Sequence, residues 1–250
     1  MDQNHFRKRM EELAAQAYQS NRFIFTDFLS EAEQSDALAQ SDELRAAGYT
    51  FFGGYEEATR CMLRFGNPEA LGYEEPFPIC IVKIEPLQRK FSDTFTHRDY
   101  LGSILNLGID RKVTGDILTD GTVGYLFCEE TIAPFITENL IRVKHTSVHC
   151  ESVDEVPESM RPVLVPAQIQ VSSERADAVV AHICNLSRSE AQNLFRQQHV
   201  FINGRAVLNA DTTPKAGDTL SVRGYGRWRY DGALRTTRKG KICVEVSKYQ

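Results

Sequence analysis

The chain has 250 residues, 42% hydrophobic and 25% charged, the balance of an ordinary globular protein with room for two or three cores. No apolar run approaches the ~20 residues that cross a bilayer, and the opening MDQNHFRKRMEEL lacks the apolar stretch of a secretory signal, so no membrane contact is expected. The net charge of −5 hides an asymmetry: residues 168–250 hold 13 Lys/Arg against 7 Asp/Glu, and residues 1–167 hold 16 against 27. A basic end on an acidic body predicts a polyanion contact at that end.

In chain order, residues 1–76 read as an α-rich, mainly helical region. Ser30 and Glu33 have the spacing of a capping box. Gly48 is expected to close the helix that follows, and Gly53-Gly54 to turn the chain into Tyr55–Arg60. Residues 77–150 read as a βαββαβ domain of ferredoxin/RRM-like order. Its parts are a strand at Ile79–Ile84, a helix at Arg98–Gly108, and a hairpin of Asp116–Leu118 and Val123–Cys128 about Asp120-Gly121. A helix at Thr131–Leu140 follows, and Ile141–Val143 begins a last strand. Tyr125 and Phe127 lie in the third strand, where such folds place stacking aromatics; core packing is the preferred reading. The six cysteines (Cys61, Cys80, Cys128, Cys150, Cys184 and Cys243) form no CxxC pair, which suits reduced thiols in a cytoplasmic protein.

Residues 151–167 hold three prolines and an acidic cluster and read as a linker. Beyond it, residues 168–250 begin with an amphipathic stretch whose apolar face is Ala176, Val179, Val180 and Ile183. Ser187 and Glu190 form a second capping box, with Ala191, Leu194 and Phe195 on one helical face. Ser189, Gln192, Asn193 and Arg196 point the other way, with Arg188 on the flank. Val200–Ile202 is a strand, Asn203-Gly204 a hairpin signal, and Gly217-Asp218 a turn before the strand Thr219–Arg223.

This order of separated features resembles the S4 (αL-type) RNA-binding domain, from Ile169 to Tyr230. The resemblance implies RNA binding through Arg175, Ser187, Arg188, Ser189, Gln192, Asn193, Arg196, Asn203, Gly204, Arg205, Lys215, Arg223 and Arg227. The physical reasons differ among them. Arginine forks bond phosphate in two places, amides read base edges and ribose hydroxyls, and a helix N-terminus favours an anion. Gly204 and Gly224 would let backbone approach closely. Trp228 either stacks on a base or packs under the hairpin.

Across nearly the whole chain, Thr26–Leu29, Phe52–Ala58, Arg98–Gly102, Leu107–Lys112 and Gly115–Leu118 resemble the YlmH family. That resemblance implies an α+β protein with a ferredoxin-like middle domain and a C-terminal S4 domain. It also implies a non-enzymatic, cytoplasmic, ribosome-associated factor that contacts large-subunit rRNA or tRNA in translation quality control or rescue of stalled subunits, with a genetic link to cell division. No cofactor, metal or small-molecule substrate is expected. The rivals are a protein-interaction adaptor working through its acidic N-terminal half and an RNA-modifying enzyme with an appended S4 domain. His97-Arg98-Asp99 resembles a catalytic segment of pseudouridine synthases, but the neighbouring residues of that segment are missing. His145, His149 and Cys150 have metal-ligand chemistry, yet in extended chain the two histidines stand about 13 Å apart, too far to share an ion.

Overall fold

The computed structural model describes residues 3–39, 44 and 46–250, which group into two compact units, Met1–Arg161 and Pro162–Gln250. No helix among the described residues is long and apolar enough to cross a membrane. The architecture is α+β.

The first unit opens with α1 (Gln3–Ser20), which buries Phe6, Met10, Ala14 and Ala17 at the three-to-four spacing of one helical face. Strands β1 (Ile24–Phe25), β2 (Tyr49–Phe52) and β3 (Met62–Phe65) then form a sheet in the order β1-β3-β2. The sequence predicted mainly helix here. The strands are only two to four residues long, too short for alternation to register. Helix α2 (Glu31–Leu38) has the expected capping box, with Ser30 N–H donating to Glu33 Oε2 at 2.8 Å and Glu33 N–H donating to Ser30 Oγ. It ends at Leu38 with Ala39 as its cap, so Gly48 does not close it. Residues 40–43 and 45 lie outside the described residues, and Gly48 takes φ +71° at the entry to β2. A short helix, α3 (Pro68–Leu71), follows.

Next come β4 (Ile79–Pro86), α4 (His97–Leu105), β5 (Thr114–Thr119), β6 (Gly124–Glu129), α5 (Ala133–Asn139), β7 (Arg142–Val143) and β8 (Thr146–Val153). The sheet runs β5-β6-β4-β8-β7, all neighbours antiparallel. The strand expected from Ile141 stops after two residues. The chain turns at Lys144 (φ +50°), and the long fourth strand is β8. One sheet face packs Val82, Ile84, Leu126 and Cys128 against Tyr100, Ile104 and Ile136 of the two helices. Burial pushes the Cys128 and Cys150 thiols up to about 12, and all six cysteines are free thiols. Iodoacetamide at pH ~8 is therefore expected to leave both unlabelled until the protein unfolds, as peptide mass mapping would show.

The other face is closed by the chain itself. Tyr125 and Phe127 are buried with Tyr55 and Val156, and Ala58 and Met160 pack against them. Gly54 (φ +100°) lies so close that a Cβ there would stand 2.3 Å from the Phe127 ring. The buried Asp116 carboxylate accepts from the Tyr55 hydroxyl at 2.8 Å and from the Thr59 N–H at 2.5 Å. Arg60 donates to the Phe28 and Thr114 carbonyls at 2.8 and 3.0 Å. Arg111 donates to the Thr114 and Gly115 carbonyls; burial, and then the Arg60 charge, lowers it to about 10. Segments far apart in the sequence thus meet in one junction.

The second unit contains β9 (Leu164–Val171), α6 (Ala176–Ile183), α7 (Arg188–Arg196), β10 (Val200–Ile202), β11 (Arg205–Ala206), β12 (Thr219–Val222), β13 (Gly226–Thr236) and β14 (Ile242–Tyr249). Its sheet runs β11-β10-β12-β13-β14-β9. The stretch read as a linker, 151–167, is strand at both ends, leaving 154–163 between β8 and β9. Helices α6 and α7 cover one sheet face through two clusters, one of Val179, Leu220, Tyr230 and Val246, the other of Val180, Phe195, Val200, Val222 and Trp228. The open question at Trp228 is settled by this packing: it is core, with Lys248 Nζ lying 5.7 Å from its ring.

Candidate nucleic-acid interface

The second unit's charge is set by the 13 Lys/Arg and 7 Asp/Glu counted from position 168, since 162–167 carry none. The thirteen residues singled out from the sequence fall into three groups.

The first surrounds Asp177, in the first turn of α6. The Asp177 and Ala176 N–H groups donate to the Ala210 and Thr212 carbonyls, which satisfies the helix end with backbone. The Asp177 side chain has no exposure, whereas that of Arg188 is 49% exposed. The carboxylate accepts from Arg188 Nε at 3.1 Å and Nη2 at 3.4 Å, from Gln192 Nε2 at 3.1 Å, and from Arg175 Nε and Nη2 at 3.3 Å. Burial alone would raise the Asp177 pKa, but the hydrogen bonds from Arg188 and Gln192 and the two arginine charges hold it below its ordinary value. Arg175 also pairs with Asp211. The two arginines are thus matched by two carboxylates, and what they offer is a fixed guanidinium edge rather than surplus charge. Arg196, exposed on the last turn of α7, bonds Asn193 Oδ1 at 3.2 Å.

The helix N-terminus itself is occupied. Ser187 Oγ accepts from Glu190 N–H, the Glu190 carboxylate accepts from Ser187 N–H at 2.8 Å, and the Ser187 and Ser189 hydroxyls bond each other at 3.1 Å. A carboxylate already sits where an anion was expected.

The second group is structural. Asn203 (φ +48°) and Gly204 (φ +73°) have the paired positive φ of a tight hairpin turn. The Asn203 amide donates to Asp218 at 2.7 Å and accepts from Thr219 N–H at 2.8 Å, so it is consumed in holding the turn. Lys215 N–H donates to the same Asp218 carboxylate. Arg205 is exposed on the edge strand β11, and Gly224 (φ +85°) has open space around its Cα.

The third group lies on the sheet face away from the helices. Phe201, Ser221 and Arg227 are cross-strand neighbours in register. The Arg223 guanidinium lies 5.0 Å from the Phe201 ring centre, and that of Arg227 4.3 Å from the Tyr249 ring. Next to them Arg229 pairs with Asp231 at 2.6 Å. Cations paired with aromatics on an open sheet suit a single strand, with phosphates on the guanidinium groups and bases on the rings. Phe201, Tyr249 and Asp177 were missed from the sequence. Asp177, two residues past the N-cap Arg175, is visible as a first-turn acid; the aromatics meet their arginines only through strand pairing, which leaves no local signal.

Residues 73–156 match the family described as "Putative RNA-binding domain in YlmH". A curated protein of Bacillus subtilis (strain 168), "Ribosome-associated protein quality control protein P2", is 29% identical over 98% of this chain and 97% of its own length. Both matches make this chain similar to the YlmH family. A solved structure, "Cell division protein ylmH from Streptococcus pneumoniae", shares 18% identity, covering 62% of this chain and 92% of its own, with a TM-score of 0.49. The family-matched segment holds the closed sheet, and the cation–aromatic face lies outside the match, in the second unit.

Proposed function

We propose that this chain is a non-enzymatic, cytoplasmic RNA-binding protein of the ribosome. Its second unit is read as an S4 domain, and its middle segment as a ferredoxin-like RNA-binding domain. It would contact large-subunit rRNA or tRNA in quality control or rescue of stalled subunits. The observation that carries the reading is the preset Arg188 fork at the start of α7 with the exposed Arg196 on the last turn of the same helix, on the more basic of the two units. The family match over 73–156 and the name of the Bacillus subtilis relative support the ribosomal setting.

The test is a titration of fluorescently labelled bulk tRNA and of large ribosomal subunits with the full chain at several salt concentrations. Arg188→Ala with Arg196→Ala is expected to weaken binding by about 1–3 kcal/mol and to flatten the salt dependence by ~0.7–0.9 for each phosphate no longer neutralised. Unchanged affinity and slope in a normally folded variant would remove these arginines from the interface. Binding that survives nuclease treatment of ribosomes would favour the adaptor reading instead.

A further inference from the structure

The closed sheet poses a problem for the middle segment. In a βαββαβ domain the free sheet face is the natural platform for RNA, with aromatics on its central strands. Here Tyr125 and Phe127 are 8% and 0% exposed, capped by Tyr55 and Val156. The rest of that face carries Lys83 held between Glu85 at 2.8 Å and Glu151 at 2.9 Å, with Arg89 on Glu85, so its cations are already neutralised. Apart from the exposed His149 imidazole opposite Glu85, neither half offers a stacking ring or a spare charge among the described residues.

On the helix side an open groove of about 490 Å³ lies between α4 and the turn from α5 into β7. Three segments supply its cations: Arg98 from α4, Arg142 from β7 and Lys144 from the β7–β8 turn. Asp99 is the one acid among its lining residues, and it is fully engaged. Its carboxylate accepts from the Thr96 N–H and hydroxyl at 2.7 Å and pairs with Lys144 at 3.0 Å, which holds its pKa down to about 2. Arg98 is exposed and makes no hydrogen bond or ion pair with any described residue; Arg142 is exposed and reaches only the His145 carbonyl, at 3.3 Å. Asn106 lines the same groove, Gly102 leaves its floor open with nothing within 4 Å of a Cβ position, and Ile141 is 71% exposed at the rim.

We propose that this groove, rather than the sheet face, is the RNA-contacting surface of the middle segment, with Arg98 and Arg142 on successive phosphates of one strand and Asn106 and Ile141 against a ribose or base. The assignment rests on the RNA-binding reading above. A groove open along its length cannot bury most of a small ligand, as a metabolite pocket does, but it fits a strand held by its backbone. Lys144 fixes the geometry by tying the turn to the cap of α4 through Asp99 and the Thr94 carbonyl.

The test uses the full chain and labelled bulk tRNA. Arg98→Ala with Arg142→Ala is expected to raise Kd about tenfold at ~0.1 M salt and to make the salt slope shallower by the equivalent of roughly two phosphates. Ultraviolet crosslinking of the unaltered complex should place adducts in peptides spanning 98–107 and 139–144. Both side chains are exposed, so a normal melting curve is expected of the variant. Tight binding by the unaltered chain with no change in the variant, or crosslinks confined to 187–230, would overturn the groove while leaving the RNA-binding reading intact. Failure of the unaltered chain to bind any RNA would overturn both.

Discussion

Replacing Asp177 by alanine is expected to weaken RNA binding about tenfold even though it removes a negative charge from a surface meant for a polyanion. A purely electrostatic view predicts the opposite sign, because deleting an anion raises the local positive potential. The difference lies in how the arginines are held. With the carboxylate present, Arg188 is fixed by two hydrogen bonds, and Gln192 and Arg175 are fixed beside it. Without it, Arg188 and Gln192 regain rotamer freedom that RNA must then remove on binding, while Arg175 keeps its pairing with Asp211. The second unit should also lose about 2 kcal/mol of stability. That is below the usual range for a broken buried pair, because the stranded arginines are half in water rather than buried. Urea unfolding of the variant beside a tRNA titration checks both parts; tighter binding would sink the preorganisation argument. The pH dependence has a definite sign. The folded carboxyl lies below its ordinary value of 3.8, so its contribution is complete above that pH and is lost as pH falls through the lower folded value. Asp177→Asn should flatten the acid limb of the unfolding curve.

The second large effect belongs to the first unit. Gly54→Ala places a methyl group 2.3 Å from the Phe127 ring at a residue whose φ is +100°. Overpacking costs about 1–3 kcal/mol and the backbone strain another ~1–3, so a loss of about 2–6 kcal/mol is expected. Gly72→Ala is the control: its φ is +76°, but a Cβ there meets nothing within 4 Å, so only the strain remains. Thermal unfolding of both variants separates the two contributions, and equal losses would mean that the Phe127 contact carries no weight. Binding through the second unit should persist at temperatures where the Gly54 variant is still folded.

The parts of the fold that could be read from the sequence are those whose signals are local. Both Ser–Glu capping boxes, the Asp120-Gly121 and Asn203-Gly204 hairpins and the apolar stripes of α6 and α7 depend on residues within one or two turns of each other. The strands of 24–65 and the β13–β14 hairpin were not legible. The first are too short to show a period. The second is interrupted by shifts of register near Gly232 and Arg235 that break its alternation. The interface divides in the same way. Arg188 and Arg196 were visible as the polar side of an amphipathic helix. That Asn203 is spent on a turn, or that Arg223 and Arg227 each rest on an aromatic ring, depends on partners brought in from other strands.

The junction about Asp116 bears on how this chain is made. Tyr55 reaches Asp116 across 61 positions, and Arg60 reaches Thr114 across 54. Loop closure over such spans comes late relative to helix and hairpin formation. On a chain emerging from its N-terminus, the early helices and β2–β3 must wait, with Phe28 and Tyr55 uncovered, until β5 and β6 have been synthesised. A chain cut at position 76 should therefore yield two unfinished pieces, each with an aromatic surface open to aggregation, rather than two independent domains.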